Sequence, residues 1–259
     1  MEITISDLCA EKLASSLSAQ DVQLLPFIPY LLQDIWDLGS SPAVIASLLK
    51  EHLEMNQDTR VLDLACGKGA VSVYLAKEFG CKVVGCDLMP AFIAEAQDKA
   101  VEHGVNHLCK FVLSDINQMV ASDSVYDVVV FGAAGDVLGT PEETFDKLRR
   151  VVLPHGIIVL DDAYAKSVGE GLPTRNAYLN TLNRCGLRVV AERLADVEGI
   201  VALNRRNQAC IEKRAAQLCV SRPEHVPLFT GYVQSQLEEC QQLESALDCV
   251  TLLVTPVVP

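Results

Sequence analysis

Positive charge is scarce in this chain. Lys and Arg number 21 against 34 Asp and Glu, giving a formal net charge of -13. A surface of that sign repels polyphosphates at long range, so nucleic acid is not the expected partner. The basic pairs Arg149–Arg150 and Arg205–Arg206 are too short to reverse this and read as solvated helix faces. No apolar run approaches the roughly 18–20 residues of a membrane span, so no membrane partner is expected. The opening residues, Met1-Glu2-Ile3-Thr4-Ile5-Ser6-Asp7, lack a basic segment followed by an apolar one, which argues against a secretory signal. There are ten cysteines and no Cys-x-x-Cys pair, as expected for free thiols in a reducing cytoplasm. Cys81 and Cys86 flank a strand-like run and read as small core residues. His103 and His107 are four apart, but Gly104 weakens a shared helical face, and no metal site is expected.

What is present is a chain of 259 residues, half of them hydrophobic, enough for one domain plus a cap. Residues 1–56 look helical. Within them Ser41 is placed to cap a helix starting at Pro42, and residues 42–55 carry apolar residues at helical spacing. Residues 60–194 alternate strand and helix. Short Val, Ile and Leu runs at 60–64, 82–86, 109–113, 126–131, 157–161 and 187–193 predict strands covered on both faces. Helices are predicted near 70–79, 90–102, 141–152 and 174–185. This alternation predicts an α/β, doubly wound, mostly parallel sheet with helices on both faces. Residues 195–248 turn polar and helical, with a break at Ser221-Arg222-Pro223, and a last strand follows at 249–256. The expected division is an N-terminal helical cap or lid (1–56), a ligand-binding α/β domain (57–194 and 249–259) and an inserted helical cap (195–248). In the insert, Ala209, Ile211, Ala215, Ala216, Leu218 and Cys219 form one predicted apolar face. Val233, Leu237, Cys240, Leu243 and Leu247 form a second.

Three strand ends carry chemistry. Val61-Leu62-Asp63-Leu64-Ala65-Cys66-Gly67-Lys68-Gly69 is a buried strand entering a glycine turn ahead of a helix. Gly67 and Gly69 let backbone approach a ligand, and the helix N-terminus offers free N–H groups. Lys82 to Asp87 is a second strand ending in an acid, followed by Leu88. A carboxylate there can accept from the ribose hydroxyls of an adenosine. Phe111-Val112-Leu113-Ser114-Asp115-Ile116 ends a third strand. Asp115 can accept from an exocyclic amine, and the Ile116 N–H can donate to a ring nitrogen. Ligands of open α/β sheets bind at this edge.

With these residues in place, the chain resembles the class I S-adenosylmethionine (SAM) dependent methyltransferases of the Rossmann-like, small-molecule type. The resemblance rests on Val61–Gly69, Val84–Leu88, Ser114–Ile116 and Val152-Leu153-Pro154-His155-Gly156-Ile157-Ile158-Val159-Leu160, and covers roughly residues 42–194 and the last strand. It implies a seven-stranded sheet with an antiparallel final strand, and SAM as cofactor, giving S-adenosylhomocysteine. Asp63, Ala65, Gly67, Gly69, Asp87, Leu88, Ser114, Asp115 and Ile116, with Phe131 and Gly132 on the fourth strand, are the implied cofactor residues. Ala65 stands where the family often has glycine. A nicotinamide fingerprint would want glycine or alanine at Ser72 and has no use for Asp63 or Asp115.

The acceptor is expected over the fourth and fifth strands. Gly132 and Gly135 keep that turn slim. Asp136 is a candidate acceptor ligand or a helix cap. Of Asp161 and Asp162, which point opposite ways on a strand, at most one faces a pocket. Asp162 and Tyr164, with Tyr30 and Trp36 of the N-terminal zone, are the substrate-pocket candidates. No catalytic base is assigned, because alignment alone supplies much of the rate for a good nucleophile. The expected activity is methyl transfer to a small molecule. The alternatives are a non-catalytic SAM- or nucleotide-binding regulator, and a methyltransferase acting on protein or RNA. Phe131-Gly132-Ala133-Ala134 replaces the family's Asn-Pro-Pro-Tyr-like sequence, which argues against the DNA and protein-glutamine branches. A homodimer built on residues 195–248 is the alternative to a lid.

Overall fold

Alternation of Val and Leu along the strands decides where the sheet lies. On the fourth strand Val128 and Val130 pack to one side with Val61, Leu75 and Val159. Val129 and Phe131 pack to the other with Leu62, Ile158 and Leu160. Both faces are therefore covered, as a parallel sheet requires. The computed structural model describes residues 7–169 and 171–257. Its strands are β1 Arg60–Leu64, β2 Lys82–Asp87, β3 Cys109–Leu113, β4 Tyr126–Gly132, β5 Val152–Ala165, β6 Leu187–Leu194 and β7 Leu247–Pro256. They lie in the order β3-β2-β1-β4-β5-β7-β6. Strands β1 to β5 run parallel, and β7 is antiparallel to both β5 and β6. The doubly wound, seven-stranded α/β fold with a reversed last strand is thus the observed one.

The helices are α1 Asp7–Ser16, α2 Ile28–Leu31, α3 Pro42–His52, α4 Ala70–Phe79, α5 Pro90–Glu102, α6 Ile116–Val120, α7 Pro141–Val151, α8 Arg175–Arg184, α9 Val197–Ser221 and α10 Val226–Ser245. Each of α3, α5 and α7 has proline in its first turn, where no intrahelical N–H is needed. Helix α7 also has a full capping box: the Thr140 hydroxyl accepts the Glu143 N–H, and the Glu143 carboxylate accepts the Thr140 N–H. Thr140→Ala is expected to lower stability by about 1 kcal/mol, readable as a shifted urea midpoint at unchanged slope.

Several elements differ from the sequence expectation. Strand β5 extends both ways beyond 157–161, because its start pairs Val152 with Tyr126 and its end stays paired with β7 out to Ala165 and Leu247. Helix α6 is too short to show a period and is set by its N-cap, Asp115. In α9 the buried face is Gln208, Ile211, Ala215 and Leu218, a run of three- and four-residue steps, and Ala209 and Ala216 are exposed. In α10 the buried residues are Phe229 and Tyr232, and Leu237 is exposed. Ile211, Ala215, Leu218, Phe229 and Tyr232 join Ala14, Leu24, Ile28, Leu31 and Ile35 of the N-terminal segment in a third core, which reaches the sheet domain through Met89 and Phe92.

Candidate active site

Strand β1 turns sharply after Leu64. Ala65, Gly67 and Gly69 all have positive φ, at 55°, 51° and 75°. A side chain at Gly69 would meet Ala96 Cβ at 2.8 Å and the Phe111 ring at 3.0 Å, so glycine is needed there for close packing as well as for φ. Alanine at position 65 holds a left-handed conformation that costs an L residue about 1–2 kcal/mol.

Asp87, at the end of β2, organises this turn. Its Oδ2 accepts the Gly67 N–H at 2.9 Å and its Oδ1 accepts the Met89 N–H at 2.8 Å. Burial pushes its pKa up, and these backbone donors oppose the shift. The Leu88 N–H also bears on the carboxylate, whose roughly four acceptor sites exceed these three donors, and the residue lines the cavity beyond. That leaves acceptor capacity for a ribose diol, so the residues present fit an adenosine.

Asp63 lies deeper. It is fully buried and accepts the Ser72 hydroxyl at 2.6 Å, tying β1 to α4. Burial raises its pKa to about 7. Between its ordinary range and pH 7 the folded state binds more protons than the unfolded state, so stability falls as pH rises through that window. We expect Asp63→Asn to flatten the urea stability profile between pH 5 and 8. The slope removed is at most about 1.4 kcal/mol per pH unit.

One cavity opens at the carboxyl edge of the sheet. Ala65, Gly67, Asp87, Leu88, Ile116 and Gly132 line it on the sheet side, six of the residues proposed from sequence. The opposite wall comes from α1 and the turn after it (Leu13, Leu17), α9 (Asn207, Ile211) and α10 (Tyr232, Gln236). The loop before α3 adds Ile35, Asp37 and Leu38. Gly132 is required by geometry, since a Cβ there would lie 2.4 Å from Ser40 Oγ and 2.7 Å from Asp161 Cβ.

Other sequence candidates sit elsewhere. Ser114 is buried beside Asp87, donating its N–H to the Asp87 carbonyl at 3.0 Å. Asp115 caps α6 through the Asn117 N–H at 2.8 Å, and Phe131 packs into the sheet core. None of the five acceptor candidates lines the cavity. Tyr164 and Asp162 share the face of β5 that looks toward α8. There Tyr178 donates to Asp162 at 2.9 Å and packs edge-on against Tyr164. Asp136 is exposed in a turn, and Thr140, not Asp136, caps the next helix. Tyr30 is on the outer surface, donating its hydroxyl to Gln217 at 2.7 Å. Trp36 lies against the glycine turn, donating Nε1–H to the Lys68 carbonyl at 2.9 Å and stacking on His103, and it lines a second, smaller pocket with Asp63, Ala65 and Gly132.

Sequence reasoning missed Lys68. Its side chain is 0% exposed, and Nζ donates to the Leu32 carbonyl at 2.7 Å and pairs with Glu95 at 3.0 Å. A lysine between two turn glycines carries no pattern that marks it as buried.

Residues 55–213 match the family model described as a methyltransferase domain. The chain belongs to this methyltransferase-domain family. The class I resemblance read from the three strand ends holds, and SAM is the cofactor that goes with it. The sterol 4-C-methyltransferase strm-1 of Caenorhabditis elegans is 27% identical over 114 residues, covering 44% of this chain and 34% of that protein. The chloroplastic tocopherol O-methyltransferase of Arabidopsis thaliana is 30% identical over 101 residues, covering 39% and 29%. The matched stretch is thus only about a third of these relatives' length. Among solved structures, a SAM-dependent methyltransferase from Geobacter sulfurreducens in complex with S-adenosylhomocysteine superposes with a TM-score of 0.75 at 22% identity, covering 89% of this chain and 98% of the other. Among the described residues no helix is long and apolar enough to cross a membrane.

Proposed function

We propose that this chain transfers a methyl group from SAM to a small molecule held beneath a helical cap. The carrying observation is the two-sided cavity: one wall is the set of strand ends at Ala65, Gly67, Asp87 and Gly132, and the other is α1, α9 and α10. Such a wall encloses a metabolite-sized acceptor and excludes water from the sulfonium. In this reading Asp87 holds the ribose, Leu88 and Ile116 flank the adenine, and Gly132 leaves room for the methyl group. The segment from α1 to Leu38 acts as the cap together with α9 and α10, while α3, which the sequence expectation counted with the cap, packs on the sheet through Ile45, Leu48 and Leu49 and belongs to the cofactor domain. The protein and RNA alternatives are disfavoured by this enclosure and by the net charge. Calorimetry on the full chain tests the cofactor: SAM and S-adenosylhomocysteine are expected to bind and NAD is not, and tighter NAD binding overturns the reading. Turnover of radiolabelled SAM against a metabolite panel separates enzyme from regulator, with methylation of no small molecule favouring the regulator.

A further inference from the structure

We propose that the methyl acceptor is an uncharged molecule with an apolar body and one oxygen function, held in place by the hydroxyl of Tyr232. This rests on the methyltransferase reading above and narrows it. Tyr232 stands on α10, in the cavity wall opposite the strand ends. The residue is only 1% exposed. Among the described residues nothing hydrogen-bonds its hydroxyl, yet the oxygen keeps accessible surface and is not sealed in as the Tyr164 hydroxyl is. The ring also borders a separate pocket walled by Asp21, Glu224 and His225. The charge that bears on the phenol is that of Glu239, which lines the cavity and not that pocket. The hydroxyl therefore opens on the cavity. Burial and the Glu239 carboxylate both push its pKa up, so at neutral pH it is an uncharged phenol with one hydrogen to donate.

The other two hydroxyls of the lining are already engaged. Ser16 donates to the Leu13 carbonyl at 2.9 Å, and Ser18 donates to the Glu239 carboxylate. Glu239 is exposed at the rim and also accepts from Gln236 at 3.3 Å. The remaining acids belong to the strand-end side of the cavity. Asp87 holds the glycine turn through Gly67 and Met89. Asp37 adjoins Leu38, which packs on Gly67 of the same turn. Tyr232 shares its own wall with Leu13, Leu17, Leu32 and Ile211, which suit a hydrocarbon body. No Lys, Arg or His stands among the described lining residues, so a carboxylate or phosphate finds no counter-ion there. An ammonium would exchange water for hydrocarbon, and it has no lone pair to receive the phenol's hydrogen. An uncharged oxygen has two lone pairs and loses far less on leaving water. One such oxygen at Tyr232 fixes the acceptor's orientation, and the apolar wall fixes the rest of it.

The test is calorimetry on the full chain saturated with S-adenosylhomocysteine, using four probes with the same hydrocarbon body: hexanol, hexanoate, hexylamine and 1-chlorohexane. Hexanol is expected to bind at least about tenfold tighter than hexanoate or hexylamine, whose charges stay unpaired against the apolar wall. Tyr232→Phe keeps the ring and removes the hydroxyl. It is expected to weaken hexanol about threefold to tenfold, the effect of one hydrogen bond, while 1-chlorohexane and S-adenosylhomocysteine bind as before. Equal or tighter binding of hexanoate or hexylamine overturns the proposal, as does no measurable binding of hexanol. Unchanged hexanol affinity in the Tyr232→Phe protein also overturns it. A variant that loses hexanol and 1-chlorohexane alike shows that Tyr232 only shapes the wall. One that loses S-adenosylhomocysteine in step shows that the hydroxyl belongs to the cofactor. The ranking of the probes on the unmutated chain decides the matter even if the variant fails to fold. Failure of the unmutated chain to bind S-adenosylhomocysteine sinks the methyltransferase reading instead.

Discussion

Asp87→Ala is expected to weaken S-adenosylhomocysteine binding by about 1.5–3 kcal/mol, roughly 10- to 150-fold, in a protein that still folds. Two losses coincide in this variant. The ribose diol loses its acceptor, and the Gly67 and Met89 N–H groups lose the carboxylate that holds them 2.9 and 2.8 Å away. The glycine turn, already carrying three positive-φ residues between 65 and 69, then has less to hold it in a ligand-ready shape. Asp87→Asn separates the two losses only in part. Its one carbonyl oxygen replaces one of two acceptors, and its NH₂ faces a donor N–H, so its affinity is expected nearer to the alanine variant than to the parent. Calorimetry with S-adenosylhomocysteine, alongside a melting curve, reads the result. Unchanged affinity in a folded Asp87→Ala protein contradicts the ribose role.

The sheet-side wall of this cavity, the proposed cofactor side, was legible in the sequence because its signals are local. Glycine at the end of an apolar run means a turn that needs positive φ, and an acid at the end of the next run faces the same edge by topology alone. Gly67, Asp87, Ile116 and Gly132 were found in this way, and each lines the cavity. Asp63 and Asp115 followed the same pattern, yet their nearest partners are structural, Ser72 for one and the start of α6 for the other. The opposite wall was legible only in outline: the inserted helices and the apolar position of Ile211 were expected from sequence, but no local signal marks Leu13, Asn207 or Tyr232 as lining residues. Its residues come from α1, α9 and α10, which converge only through the core of Leu31, Ile35, Phe92, Ile211 and Tyr232. On β5 the direction of Asp162 and Tyr164 depends on strand register, and the pairing of Asp162 with Val250 sets both toward α8. Of the aromatic residues expected as pocket walls, Tyr30 serves the outside of the cap, while Trp36 lines a smaller pocket beside the glycine turn with Asp63, Ala65 and Gly132.

Lys68→Met is expected to lower stability by about 2–3 kcal/mol and to loosen the N-terminal segment more than the sheet. Methionine keeps the length and apolar stem of the side chain, so the change isolates the ammonium. Removing that ammonium strands the buried Leu32 carbonyl, 2.7 Å away, and leaves Glu95 without its partner. Breaking a fully buried pair costs about 3–5 kcal/mol. The lower figure applies because the Glu95 side chain is 33% exposed and water replaces part of what it loses. For the same reason Glu95→Gln is expected to cost only about 0–1 kcal/mol. Two further contacts bind the same segment to the same turn: Trp36 Nε1–H to the Lys68 carbonyl, and Leu38 against Gly67, where an added Cβ would sit 3.3 Å from Leu38 Cδ1. The turn proposed to cradle the cofactor is therefore also the anchor of the wall formed by Ile35, Asp37 and Leu38. Hydrogen exchange reads this directly. Amides of residues 32–38 are expected to exchange faster in the Lys68→Met protein than in the parent, with the β1 and β4 amides changed far less. Uniformly faster exchange across the sheet means that Lys68 supports the fold as a whole and does not fasten the cap to the turn.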